Sequence, residues 1–106
     1  MRKANVLMHG LPAGTLIEDQ DNQSWRFDYL PEYDGPPVSL TMPTTLRSYH
    51  FAEFPPFFEG LLPEGIMLEG LLRKLKIDRN DYFSQLVATG ADFVGAVTVQ
   101  IREDGK

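Results

Sequence analysis

The chain reads as an α+β domain, with a small antiparallel, partly barrel-like sheet and two helices packed on one side. Three observations carry that expectation. Trp25, Phe27 and Tyr29 alternate with Arg26 and Asp28, the period of a half-buried strand. Leu68, Leu71, Leu72 and Leu75 recur at helical spacing. The first forty residues are otherwise short extended runs broken by turn residues, whereas most of the second half is helical in pattern.

Taken in order, residues 4–9 form a short apolar run that ends at the turn cluster Gly10-Leu11-Pro12-Ala13-Gly14, and residues 15–18 resume an extended pattern, which predicts a hairpin. Residues 19–23 are polar and turn-like, and the strand centred on Phe27 follows. Residues 31–37 break it with three prolines. Val38, Leu40 and Met42 then alternate with Ser39 and Thr41, which predicts a fourth strand ending before Pro43. Residues 44–56 read as irregular connection. A helix is expected from near Pro63, a residue suited to a first turn, to about Lys76, with the leucine stripe as its core side. Arg73, Lys74 and Lys76 lie in its last turn, where cations favour the carbonyl end of the dipole. Asp78 is the expected cap of a second helix over residues 79–89, which places Phe83, Leu86 and Val87 on one face with Gly90 just past the end. Residues 93–101 return to the sheet as a strand, and the polar tail 102–106 is expected to fray.

Length and composition bound the function. At 106 residues, 42% hydrophobic and 24% charged, the chain is expected to be a single domain spanning 1–106. No apolar run approaches the roughly 20 residues that cross a bilayer. The apolar part of the N-terminus, residues 6–8, is too short for a signal-peptide core. With no cysteine, disulfides and thiolate metal sites are excluded, and a cytoplasmic location is expected. The net charge of −5 comes without a basic stripe, so direct nucleic-acid binding is not expected, and a basic protein partner would suit the chain better.

The chain holds no recognisable catalytic constellation. His9 and His50 stand far apart without a His-Glu-x-x-His pattern, so no metal site is expected. No Gly-x-Ser-x-Gly elbow surrounds Ser24, Ser39, Ser48 or Ser84. The pairs Glu18/Asp19 and Glu32/Asp34 are inevitable among fifteen carboxylates and read as solvated surface. Residues 10–14 lack both the P-loop ending and the Gly-x-Gly-x-x-Gly spacing, so no nucleotide cofactor is expected. Asp92-Phe93-Val94-Gly95 is one residue too long for a kinase Asp-Phe-Gly, and no His-Arg-Asp accompanies it. The chain is therefore not expected to be an enzyme. Trp25 reads first as a sheet-face core residue and second as a partner-contacting hot spot. Phe57 and Phe58 read as packing residues, one of them at a surface edge.

The candidate site is the stretch Leu61, Leu62, Pro63, Glu64, Gly65, Ile66 and Met67. Three consecutive apolar residues, Ile66, Met67 and Leu68, stand at the expected helix start, and one helix face cannot bury all three. At roughly 100° per residue Met67 falls on the edge of the leucine stripe and Ile66 almost opposite it, held out to solvent. A β-branched apolar residue so placed beside a Pro-Glu-Gly turn points to a surface that another protein covers. The competing expectation is that Ile66 packs under the 44–56 connection of its own domain.

Together, Trp25-x-Phe27-x-Tyr29, Val38-Ser39-Leu40-x-Met42-Pro43, Phe57-Phe58-x-x-Leu61-Leu62-Pro63-Glu64-Gly65 and Gly90-Ala91-Asp92-x-x-Gly95-Ala96-Val97 resemble the N-terminal subdomain of HipA-type toxin kinases. The resemblance covers nearly the whole chain. It implies that the nucleotide and catalytic motifs of the kinase body lie beyond the matched region. A separately encoded copy resembles the HipS antitoxins of tripartite HipBST toxin-antitoxin systems. The implied partners are then a HipT-like serine/threonine kinase, which the subunit neutralises, and a HipB-like DNA-binding protein in a ternary complex. In such systems the kinase acts on aminoacyl-tRNA synthetases. Two alternatives stand beside the antitoxin expectation: an N-terminal scaffold segment excised from a full-length HipA-type kinase, and a small unrelated enzyme with a deep polar pocket.

Overall fold

The computed structural model describes residues 2–19, 24–90 and 96–101. The expected hairpin is present as β1 (Arg2–Met8) and β2 (Leu11–Asp19), paired antiparallel from Arg2 opposite Glu18 to Met8 opposite Leu11. Its turn is tighter than the five-residue cluster expected. Only His9 and Gly10 lie outside the strands, both at positive φ (52° and 81°), as a two-residue hairpin that matches the strand twist requires. Leu11 to Gly14 therefore belong to β2. The glycine and proline there serve a bulge, where the register shifts between Val6 and Leu7.

β3 (Ser24–Tyr29) follows the predicted alternation, with Trp25, Phe27 and Tyr29 buried. The fourth strand is not where the Val38-x-Leu40-x-Met42 pattern predicts it. That segment is a turn with an isolated Ser39–Met42 bridge, and Leu40 is 92% exposed. Val38 and Met42 are buried in the core, and Tyr29 pins both ends of the turn. Its hydroxyl accepts from the Val38 N–H at 2.9 Å and donates to the Met42 carbonyl. Burial raises the Tyr29 phenol above its ordinary pKa, and the Val38 N–H only partly opposes the shift. β4 is instead Ser48–Phe51, inside the expected irregular connection. It escapes pattern reading because it is a four-residue edge strand with exposed Ser48 and His50 and only half-buried Tyr49 and Phe51. β5 (Val97–Ile101) closes the described chain against β1. The order is β4-β3-β2-β1-β5, entirely antiparallel. β4 and β5 are the two edges, so the sheet is open and not closed into a barrel.

Three helices, rather than two, accompany the sheet among the described residues: α1 (Pro56–Glu59), α2 (Gly65–Leu75) and α3 (Tyr82–Thr89). α1 is a single turn that delivers Phe58 to the core, 5.8 Å from Phe27, while Phe57 stays half-buried beside it. α3 presents Phe83 and Leu86 to the sheet, with Phe83 stacked 6.1 Å from Trp25. Trp25 also meets Phe54 edge-on at 4.9 Å and is 3% exposed, which makes it a core residue and removes the hot-spot reading.

α3 begins three residues later than expected because Asp81, not Asp78, is the cap. The Asp81 carboxylate accepts from the Ser84 N–H at 3.2 Å, while buried Gln85 donates to the Asp78 and Arg79 carbonyls and holds those residues in a turn. Arg2 ties this cap to the sheet. It bonds Glu18 on β2 at 2.6 and 2.7 Å and Asp81 at 3.1 Å, and its guanidinium lies 4.7 Å from the Phe83 ring centre. Burial opposes ionisation of Asp81, but hydrogen bonds from Arg2 and Ser84 outweigh it and hold the carboxyl below its ordinary pKa. The charged cap thus favours folding at neutral pH, and its contribution is lost as the pH falls below the ordinary aspartate range of about 4. Asp81→Asn keeps a capping side chain but loses the charge. It is expected to lower stability at pH 7 by about 1 kcal/mol and to flatten the acid limb, read from denaturant midpoints between neutral and acid pH.

The turn expected over 19–23, the start of the strand expected over 93–101, the Asp92-Phe93-Val94-Gly95 segment and the tail 102–106 fall wholly or partly outside the described residues.

Candidate functional site: the α1–α2 turn and the outer face of α2

The chain leaves α1 through Gly60, and a tight turn follows in which the Leu61 and Leu62 N–H groups donate to the Phe58 and Glu59 carbonyls, both at 3.1 Å. Leu61, Leu62 and Pro63 are half-buried, and the two leucines pack on the core. They are the anchored base of the predicted stretch. Glu64 is extended (φ −132°) and Gly65 takes φ +61°, a left-handed conformation that disfavours any side chain. That reversal starts α2 in a direction which turns Ile66 and Met67 outward.

Ile66 is 90% exposed and Met67 75% exposed, so the reading in which Ile66 hides under the 44–56 connection is wrong. The expectation for the leucine stripe needs correction in the opposite direction. No residue of α2 is fully buried: Leu68, Leu71 and Leu72 are half-covered and Leu75 is 47% exposed. α2 stands at the periphery, while Leu61 and Leu62 just before it pack on the core. It presents apolar residues both inward and outward.

Pro63, Ile66, Met67, Gly70, Leu71 and Lys74 line an open trough of about 290 Å³ that ends against Thr89 of α3. The predicted stretch contributes three of these residues. Gly70, Leu71, Lys74 and Thr89 were not identified as lining residues. A glycine within a leucine-rich helix was the available signal for the first.

Two other concavities offer less. One lies between the β1–β2 turn and the 31–36 loop, lined by apolar atoms of Met8, Leu11, Pro12 and Tyr33 with Glu32 and Asp34 nearby. The other is the open sheet face around Lys3, Arg26, Asp28 and His50, where Arg26 is already bonded to Asp28 at 3.0 Å. Among the described residues no group of three or more His, Asp or Glu could hold a metal ion, and no helix is long and apolar enough to cross a membrane. The shifted pKa values on Arg2 and Asp81 belong to a structural ion pair and those on Tyr29 and Tyr33 to buried phenols. They do not assemble a nucleophile with a base.

Comparison with known proteins adds the decisive observation: the HipA N-terminal domain family matches residues 4–100. The chain belongs to that family. A solved structure, the N-terminal domain of HipA toxin, superposes with a TM-score of 0.76 at 29% identity, covering 98% of this chain and 95% of that one. An uncharacterized protein of Haemophilus influenzae is 33% identical over 100 residues, which is 94% of this chain and 92% of the relative. The candidate kinase Y4dM of Sinorhizobium fredii is 32% identical over 109 residues, covering 93% of this chain but 26% of its own length. The chain thus spans about a quarter of that relative. The HipA N-terminal domain is a scaffold subdomain rather than the kinase catalytic domain, and the open five-stranded sheet with its flanking helices is its fold.

Proposed function

We propose that this HipA N-terminal-like domain is a non-catalytic antitoxin subunit of the HipS kind, binding a HipT-like serine/threonine toxin kinase and restraining it through residues 61–67. One observation carries the reading. Ile66 and Met67 stand almost fully in solvent at the head of a helix whose entry is set by a left-handed glycine, on a base anchored to the core by Leu61 and Leu62. Phosphoryl transfer depends mainly on positioning, so an apolar knob set at the mouth of a kinase cleft would stop it by keeping substrate or the phosphate-binding loop out of place. A HipB-like DNA-binding protein completes the proposed assembly, and the acidic chain itself makes no direct contact with nucleic acid. The subunit acts in the cytoplasm in this reading.

A second reading has the match to Y4dM in its favour, since it covers only a quarter of that candidate kinase. In it the domain is the N-terminal scaffold segment of a full-length HipA-type kinase, and the 61–67 surface lies against its own kinase body. The downstream reading frame separates the two. Co-purification with the neighbouring gene products, followed by a kinase assay with and without this chain, is the functional test. A complex and suppressed phosphorylation are expected, whereas full activity at saturating chain would remove the antitoxin role.

A further inference from the structure

We infer that the outer face of α2 is a docking trough for a segment of the partner kinase in which an apolar side chain stands beside a carboxylate, with Gly70 as its floor and Lys74 as its charged end. The inference rests on the reading above, that this side of the domain meets a kinase, and names the chemistry recognised there.

Gly70 is the first reason. It sits in the middle of an 11-residue helix, where glycine is the least favourable residue after proline. Its φ is not positive, and a Cβ built on it meets nothing within 4 Å. Neither the backbone nor the packing of this domain therefore asks for glycine there. What glycine supplies is a missing side chain in the floor of the trough, open to close approach from outside.

The second reason is spacing. Within α2, Ile66, Met67, Gly70, Leu71 and Lys74 fall at i, i+1, i+4, i+5 and i+8, one continuous face, and Pro63 closes its end from the turn before the helix. Ile66 and Met67 make this face apolar beside a leucine side that is itself only half-covered, with Leu71 on the border between the two, and an apolar surface of that extent is one that becomes covered.

Charge is the third. The chain is acidic overall, yet Arg73, Lys74 and Lys76, three of its ten cations, cluster at the end of α2. Glu69 is engaged by Arg79 at 2.6 Å, and Lys74 has no carboxylate partner among the described residues. The cations also suit the carbonyl end of the helix, so charge alone does not decide the matter. Together with the Gly70 floor, it favours an acidic partner segment over a basic one.

The test is calorimetric titration of the full chain and two variants into a HipT-like kinase from the same genome, at low and high salt. Gly70→Ala is expected to raise the thermal midpoint of the free chain, through helix propensity, yet to weaken kinase binding by about tenfold or more. Lys74→Glu should weaken binding about tenfold at low salt and less at high salt, while the thermal midpoint falls slightly because a carboxylate opposes the carbonyl end of the helix. Unchanged binding by both variants would overturn the trough while leaving the antitoxin reading in place. A free chain that dimerises, and loses dimerisation with Gly70→Ala, would assign the face to a second copy and also overturn it. Failure of the unaltered chain to bind the kinase would remove both readings together.

Discussion

If the proposed antitoxin function holds, Ile66→Asp is expected to leave the domain folded and to weaken kinase binding strongly. Ile66 contacts almost nothing in its own domain, and a surface substitution of that kind changes stability by within about 0.5 kcal/mol. Aspartate in the first turn of α2 even favours the helix, since a negative charge there opposes the positive end of the dipole. In a complex the same change buries an unpaired carboxylate where an apolar side chain filled a pocket. The loss for a central contact is at least about 2 kcal/mol, or roughly 30-fold in affinity. Met67→Asp should behave alike, and in the proposed complex the double substitution should leave the kinase free at chain concentrations that suffice for the parent to restrain it. The paired readout is what matters: an unaltered melting curve together with restored phosphorylation of the kinase substrate. Retained inhibition by the double variant at a normal melting temperature would remove residues 66 and 67 from the interface.

Gly90→Ala is expected to have the largest effect on the fold. At the end of α3 the backbone crosses β5 so closely that a Cβ on residue 90 would stand 1.9 Å from the Val99 carbonyl oxygen and 2.8 Å from its carbon. Both are backbone atoms held in the ladder with β1, and the Gly90 carbonyl accepts from the Val99 N–H at 3.2 Å. One methyl group must therefore lift α3 off the sheet or break that bond. Phe83 and Leu86 on α3 lose their seat against the sheet in either case. A cost of about 3 kcal/mol follows, at the upper end for overpacking. For a domain of this size that is roughly 12–24 °C in melting temperature. The contrast with Gly70→Ala is direct: the same chemical change should destabilise at one helix position and stabilise at the other. A Gly90→Ala melting curve indistinguishable from the parent would show that the helix end sits farther from β5 than described.

Much of this architecture was legible in the residues. The hairpin, β3 with its buried Trp25, Phe27 and Tyr29, the two longer helices and the outward Ile66 follow from period and angle, because each depends on neighbours within a few positions. The motifs that resemble HipA N-terminal domains pointed to the family that comparison then showed. Other features failed for reasons equally local. The Val38-x-Leu40-x-Met42 alternation mimicked a strand, whereas Val38 and Met42 enter the core from a turn whose ends are both bonded to the Tyr29 hydroxyl. The true β4 carries too little buried surface for its period to show. Asp78 has the right residue type for the expected cap, but Gln85 holds residues 78 and 79 in a turn and Asp81 caps α3, tied to the sheet by Arg2, 79 positions away.

The sequence by itself therefore determined the hairpin, β3, the two longer helices and which side of α2 begins outward, since backbone geometry and the roughly 3.6- and 2-residue periods act over short range. Only the tertiary structure decided that the leucine stripe of α2 is half-covered, that the sheet stays open, and that Gly70 faces space while Gly90 faces a strand. Those outcomes depend on which distant surface reaches a position first. Leu61 and Leu62 pack on the core while α2 buries no residue fully, and a helix so placed keeps an apolar face uncovered.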